Sequence, residues 1–321
     1  MWKDYFVHNP MPALLSVNDP GLHFLIARDL LHQKGQQVSE VWSSRPVKRI
    51  LQRQLPDGSW RYRGNRPGQE FGENYELIET WKMLRLLVGK YSFHRDHPAT
   101  RQAAEYVFSC QSEEGDIRGI LGNQYAPYYT GALLEVLIKA GYADDQRVLR
   151  ALDWLLTMQQ KDGGWIIPLN MYKQSYYYEI ALKAPIPPDK ELPSSHMTTG
   201  MVLRGLCAHP DYRNKQAVQR AGELLAERLF KEDAFTFRQA ASYWFKLQYP
   251  YWWTNLLSAL ESLAALYFKS YDPRIRKGLE WFRENQNPGG TWTSSYEAKD
   301  PDADGWITYA VCRMVKSFLG E

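Results

Sequence analysis

Apolar residues recur at helical spacing along most of the chain. The i, i+3, i+4 pattern predicts eleven helices, over 22–34, 45–54, 74–88, 99–111, 128–140, 146–159, 196–209, 214–229, 252–268, 273–286 and 304–319. Two stretches break the period, 166–195 and 236–251, and both read as long insertions between helices. Such insertions in a repeat scaffold are places where function is often carried.

The connections between these helices repeat. Residues 54–60 are Gln-Leu-Pro-Asp-Gly-Ser-Trp, 159–165 are Gln-Gln-Lys-Asp-Gly-Gly-Trp, and 286–292 are Gln-Asn-Pro-Gly-Gly-Thr-Trp. Weaker copies stand at 111–117, with Ile117 in the Trp position, and at 229–235, where Leu229 and Phe235 replace both ends. Before each copy lies a helix with an apolar stripe, such as Leu152, Leu155 and Leu156. After it comes a second helix with a Thr in its first turn: Thr80, Thr130, Thr199, Thr254 or Thr308. One unit is therefore helix, Gly turn, helix. Gly supplies the positive φ that ends a helix, Gln can bond unpaired backbone groups there, and Trp buries a large face. These residues read as staples. Eleven helices make five hairpins and a leading helix, close to the six hairpins that would close a double ring. The expectation is one domain over 1–321, with a repeat core at 21–320 sharing one continuous interior.

Composition narrows the functional classes. The chain is 14% aromatic, with 12 Trp, 21 Tyr and 12 Phe, which excludes disorder. No window approaches 18 unbroken apolar residues, so a membrane-spanning helix is excluded. Thirty-nine basic and 36 acidic residues are scattered without a basic block, so nucleic acid is not indicated. Cys110, Cys207 and Cys312 lie far apart with no zinc spacing and read as buried thiols in a reducing compartment. The N-terminus lacks a signal-peptide pattern, which makes a cytoplasmic location the expectation.

The Gln-x-x-Asp-Gly-x-Trp repeats between helices resemble the QW motifs of squalene-hopene cyclases, oxidosqualene cyclases and protein prenyltransferase β subunits, over about residues 21–320. The chain also resembles bacterial prenyltransferase/squalene-oxidase-repeat proteins of unsettled function, through Asp19-Pro-Gly-Leu-His-Phe-Leu-Ile-Ala-Arg-Asp-Leu-Leu and Trp306-Ile-Thr. This terpenoid cyclase/protein prenyltransferase resemblance implies an all-α, α/α toroid of about six repeats around an aromatic-lined central cavity. A fold alone does not select an activity.

A protonation-type terpene cyclase needs an acid kept protonated by burial, in that family a D-x-D-D motif opening an inner helix. Here Asp302-Ala303-Asp304-Gly305 opens the last helix and keeps two of the three acids. The resemblance puts Asp304 in the donor's place, supported by Asp302, with Gly305 where the last Asp would stand. If Thr308 is the family's Thr, the acids come two residues early. The competing reading is a helix N-cap. Prenyl diphosphate cleavage would need clustered aspartates for magnesium, and Asp144-Asp145 is the only adjacent pair. The prenyltransferase zinc ligands find no matching Cys or Asp in 66–75, and Ser195-His196 alone makes no zinc site. No metal and no cofactor are therefore expected.

What remains is aromatic. Tyr75, Tyr128, Tyr129, Trp252, Trp253 and Trp306 fall in or just before the first turns of inner helices, at one end of the expected ring, and His196 begins another. Tyrosines and tryptophans of the two insertions would lie over that mouth. Such a surface suits an isoprenoid tail and could steady a cation; it could equally fill the barrel. Three functions stay open. The first is a terpenoid-cyclase-like protein binding a hydrophobic isoprenoid-type molecule, with Asp304, supported by Asp302, as the candidate proton donor. The second is a non-catalytic hydrophobic-ligand-binding toroid. The third is a carbohydrate-active toroid, a lyase or hydrolase. The partner expected is a small hydrophobic molecule; peripheral membrane contact is compatible with it, and no protein partner is indicated.

Overall fold

The structure, a computed structural model, describes residues 2–35, 37–173, 176–234, 238–296 and 300–320. Residues 174–175 and 236–237 of the two insertions, and Phe235 of the weakest repeat, lie outside the described residues. In chain order the helices are α1 (Met11–Ser16), α2 (Pro20–Leu25), α3 (Val38–Trp42), α4 (Arg45–Leu51), α5 (Tyr75–Tyr91), α6 (Pro98–Ser109) and α7 (Pro127–Leu137). They continue with α8 (Gln146–Thr157), α9 (Tyr177–Ile180), α10 (His196–Ala208), α11 (Gln216–Glu227), α12 (Leu256–Ala265), α13 (Pro273–Glu284) and α14 (Ala303–Leu319). One short strand, β1 (Ile120–Asn123), precedes α7, and α2 and α7 each run on through a π turn, Ile26–Leu30 and Ile138–Tyr142.

The helices form the expected α/α toroid. Six inner helices close a ring: α2 packs on α5, α5 on α7, α7 on α10, α10 on α12, α12 on α14, and α14 back on α2. Polar contacts tie inner neighbours together: Trp81 donates to the Ala132 carbonyl, Glu135 pairs with Arg204, Glu261 pairs with Arg313, and Tyr309 bonds Asp29. The α7–α10 pair is the tightest. A Cβ on Gly131 would stand 2.6 Å from the Val202 Cα, and one on Gly205 2.5 Å from the Gly131 carbonyl oxygen, so both positions require glycine.

The repeat turns work as staples with one wiring. The amides of Gln54, Gln111, Gln159 and Gln286 donate to the carbonyls of Gly58, Gly115, Gly163 and Gly290, each a glycine with φ between +83° and +113°. The same amides donate to the start of the next outer segment, at the carbonyls of Ala99, Arg147, Ala217 and His8. Trp60, Trp165 and Trp292 donate their indole N–H to Ile50, Leu155 and Phe282 of the preceding helix. The recurring Thr closes the circuit. Backbone N–H groups of Trp60, Ile117, Trp165 and Trp292 donate to the hydroxyls of Thr80, Thr130, Thr199 and Thr308. The 229–235 copy is wired differently: Trp244 donates to the Lys231 carbonyl, and Thr254 to the Met197 carbonyl.

The sixth outer element comes from the beginning of the chain. Gln286 both donates to the His8 carbonyl and accepts the His8 N–H, Phe6 meets Trp292 edge-on at 5.3 Å, and the 3-10 turn Trp2–Tyr5 and α1 pack on α14. Residues 2–16 carry no repeat signature, so periodicity alone leaves this hairpin half-built. A second difference lies at α12. It starts at Leu256 rather than 252, because Asn255 and Ser258 form a capping box there. Trp252 and Trp253 consequently belong to an extended strap. Among the described residues, no helix is long and apolar enough to cross a membrane.

Candidate functional site

The strap determines what the lumen can hold. Residues 246–255, the end of the second insertion and the approach to α12, turn into the ring instead of lying over its mouth. Arg85 of α5 donates to the Pro250 carbonyl at 2.9 Å, and Arg204 of α10 to the Trp252 carbonyl at 3.1 Å. The Tyr249 hydroxyl donates to the Gly89 carbonyl at 3.1 Å, and its ring stacks on Trp306 at 5.9 Å. Gly89 is the match on the helix side, since a Cβ there would stand 2.9 Å from the Pro250 ring. Arg85 lies over the faces of both Trp81 and Trp252, 5.3 and 4.9 Å from their centroids.

The expected aromatic residues are thereby gathered into packing clusters. Tyr128, Tyr129, Trp252 and Trp253 form one, joined through Trp81: Tyr128–Tyr129 at 4.4 Å, Trp81–Tyr129 at 5.2 Å, Trp81–Trp252 at 4.8 Å and Tyr128–Trp253 stacked at 6.4 Å. Trp306 belongs to a second, with Tyr249, Tyr91 and Tyr309. Tyr75 stands apart. Its hydroxyl donates to Glu73 and accepts the Gly68 N–H, beside the ring of Tyr62. His196 stacks on Trp244 at 4.5 Å, with Nε2 3.6 Å from Asp233; burial lowers its pKa, against the pull of that carboxylate. The aromatic surface exists, and the chain's own strap occupies it.

Neither acid of the 302–304 string caps α14. Asp302 occupies the N-cap position without a side-chain cap bond. Its carboxyl pKa is raised, first by burial and then by Asp19 and Asp300, against the pull of Lys90. Lys90 pairs with Asp300 at 3.1 Å and lies over the Trp306 ring at 5.1 Å. Asp304 turns back to the preceding loop and accepts the Ser294 N–H at 2.8 Å. So Asp302 sits in a carboxylate-rich spot, whereas Asp304 is engaged in holding a turn.

The open part of the lumen is a basin of about 360 Å³ at the opposite end, among the C-terminal halves of α7, α10, α12 and α14. Tyr251 of the strap forms part of its lining, with Cys207, Ala264, Ala265 and Met314 as apolar wall. Its charges are Glu135, Lys139, Arg204, Glu261 and Arg313. Glu135 accepts from Lys139 at 2.6 Å and pairs with Arg204 at 2.9 Å; burial pushes its pKa up, but these two cations outweigh it and hold the carboxyl below its ordinary value. Glu261 pairs with Arg313 at 2.5 Å, and Arg313 also donates to the hydroxyls of Tyr249 and Tyr309. Burial raises the pKa of Tyr251. Of the residues named from the sequence, Cys207 and the insertion's Tyr251 line this basin, and none of the candidate site residues Tyr75, Tyr128, Tyr129, His196, Trp252, Trp253, Asp302, Asp304 and Trp306 does. Charged residues in the mostly apolar inner helices, Glu135, Arg204, Glu261 and Arg313, are the sequence signal for it. A larger hollow, about 830 Å³ and lined by Tyr125, Trp154 and Pro187 among others, lies outside the ring against α8.

Comparison with known proteins follows the fold. Residues 74–186 and 132–309 match the squalene-hopene cyclase C-terminal domain family. A squalene–hopene cyclase from Zymomonas mobilis is 27% identical over 161 residues, which are 46% of this chain and 22% of that protein; the match thus spans about a fifth of the relative's length. Among solved structures, an Actinoplanes protein is 16% identical over 85% of this chain and 82% of its own, with a TM-score of 0.45. A type II terpene cyclase from Scytonema in its apo form is 14% identical over 95% and 83%, with a TM-score of 0.46.

Proposed function

Because the chain belongs to the squalene-hopene cyclase C-terminal domain family, we propose that its 321 residues form one toroid domain that binds a small isoprenoid-type amphiphile in the basin. The occupied lumen supports this reading most directly. A polyprene threaded along the aromatic faces would have to displace Tyr249, Tyr251 and Trp252, which are anchored by Arg85, Arg204 and Gly89. The basin, by contrast, is open. At about 360 Å³ it falls within the range of small-molecule sites, ~300–1,000 Å³, with apolar walls and a few convergent polar groups. An apolar tail would lie against Met314, Cys207 and the alanines of α12, with its polar end among the charged side chains.

The test is to purify the protein, look for a co-purifying lipid by native mass spectrometry, and titrate it with farnesol. Ala264→Trp, on the basin wall, should abolish binding while leaving the melting temperature near wild type. Unchanged binding in that variant would put the ligand elsewhere.

One observation favours a second reading, protonation-initiated cyclisation. Asp302 holds its proton more tightly than an ordinary aspartate and lies near Trp306. That chemistry would need the strap to leave the lumen. It predicts product from a linear polyprene with wild type and none with Asp302→Asn; under the binding reading, wild type makes no product. A glycan-processing reading requires a protonated carboxyl across from an ionised one. Glu135 is held ionised by Lys139 and Arg204, and Glu261 is committed to Arg313, which disfavours that role.

A further inference from the structure

We infer that the basin selects an amphiphile with a single negative charge, a carboxylate rather than an alcohol or a diphosphate; this deepens the proposed ligand-binding reading and rests on it. The charge balance of the lining carries the argument. Three cations, Lys139, Arg204 and Arg313, face two carboxylates, Glu135 and Glu261. A neutral head leaves one positive charge uncompensated in a partly desolvated hollow. A monoanion neutralises it. A diphosphate, with two or three negative charges, overshoots and buries charge without a partner, which is costly.

The geometry indicates which cations meet the head. Arg204 is spent: its side chain is only 3% exposed, it pairs with Glu135, and it donates to the strap carbonyls of Trp252 and Trp253. Lys139 is 48% exposed at the rim, and Glu135 keeps Arg204 as a partner if Lys139 turns away. Arg313 is 31% exposed, and its guanidinium is spread over Glu261, Tyr249 and Tyr309. The carboxylate head therefore sits between Lys139 and Arg313, on opposite walls of the basin. Glu261 competes with it for Arg313. The tail runs over Met314 and Ala265, next to Tyr251.

Calorimetric titration with three probes sharing one tail, farnesoic acid, farnesol and farnesyl diphosphate, tests this in low salt. Farnesoic acid should bind about tenfold more tightly than farnesol, the factor for one added charge contact of ~1.4 kcal/mol, and more tightly than the diphosphate. Lys139→Met should weaken the acid by roughly three- to tenfold and leave farnesol unchanged. Glu261→Gln, which removes the competing carboxylate, should tighten the acid. Equal affinity for acid and alcohol, or tightest binding of the diphosphate, would overturn the charge selection while leaving the amphiphile reading standing. So would a Lys139→Met effect of the same size on both ligands. If none of the three probes binds, both readings fall together.

Discussion

Tyr249→Ala is the sharpest test of an occupied lumen. The Tyr249 ring stacks on Trp306 at 5.9 Å, meets Tyr251 edge-on at 5.4 Å and Tyr309 at 6.0 Å, and its hydroxyl donates to Gly89. Only 5% of the residue is exposed. Truncating a buried aromatic costs roughly 3–5 kcal/mol, part as lost transfer energy and part as the cavity left behind. The lost hydroxyl bond adds about 1 kcal/mol. Taking about 5 kcal/mol in all and roughly 2 °C per kcal/mol for a chain of this size, the melting temperature should fall by about 10 °C. The cavity would have the shape of the missing ring, so p-cresol should refill it. At ten times its Kd, a ligand that binds only the folded chain contributes about 1.4 kcal/mol, or some 3 °C of recovery. Differential scanning fluorimetry of both proteins across a cresol series reads both effects. A loss under about 1 kcal/mol, or a cresol response equal in wild type and variant, would show that Tyr249 is not packed inside the ring.

Three further outcomes follow from the wiring. Gln286→Leu removes three hydrogen bonds to His8 and Gly290 and should cost ~1–3 kcal/mol, with hydrogen exchange rising selectively over residues 2–16; uniform exchange would refute the closure. Arg204→Met leaves Glu135 buried with only Lys139 and removes the donors to the strap, so it should cost ~3–5 kcal/mol in urea unfolding, against ~1 or less for Lys139→Met; equal costs would deny the pair its importance. Asp302 binds its proton more tightly folded than unfolded, so its contribution is complete below the unfolded value near 3.8 and is lost as pH rises through the folded one. Asp302→Asn should therefore gain on wild type at pH 7 relative to pH 3.5, and an identical difference at both pH values would reject the shift.

The ring could be read from the residues because its staples are local and repeated. Gln54 and Trp60, with Thr80 twenty positions on, make the same bonds as Gln159, Trp165 and Thr199, so one sequence pattern fixes one geometry each time. Residues 2–16 escaped because their place is set by a contact 278 positions away, Gln286 to His8, that leaves no period. The strap escaped for a related reason. An irregular segment has no repeat to count, and its course is dictated by its hosts: Gly89, which leaves room for Pro250, and Arg85 and Arg204, which supply donors to its carbonyls. The aromatic residues were found, but whether a π face is vacant or covered depends on what folds against it. The basin has no such marker: the aromatic residues stand at the helix starts, while its charges lie in the later halves of the same helices.

Closing the ring with residues 2–16 has a consequence for how the protein is made. On the ribosome these residues emerge well before their seat on α14, which follows some three hundred positions later. Trp2, Phe6, Met11 and Leu14, all buried in the finished ring, must wait for that seat until α14 has been made. The nascent chain therefore carries a sticky apolar segment until then, open to chaperones or to the wrong neighbour. A fold assembled from local hairpins, each able to form as it appears, still depends for completion on a contact between residues some three hundred positions apart.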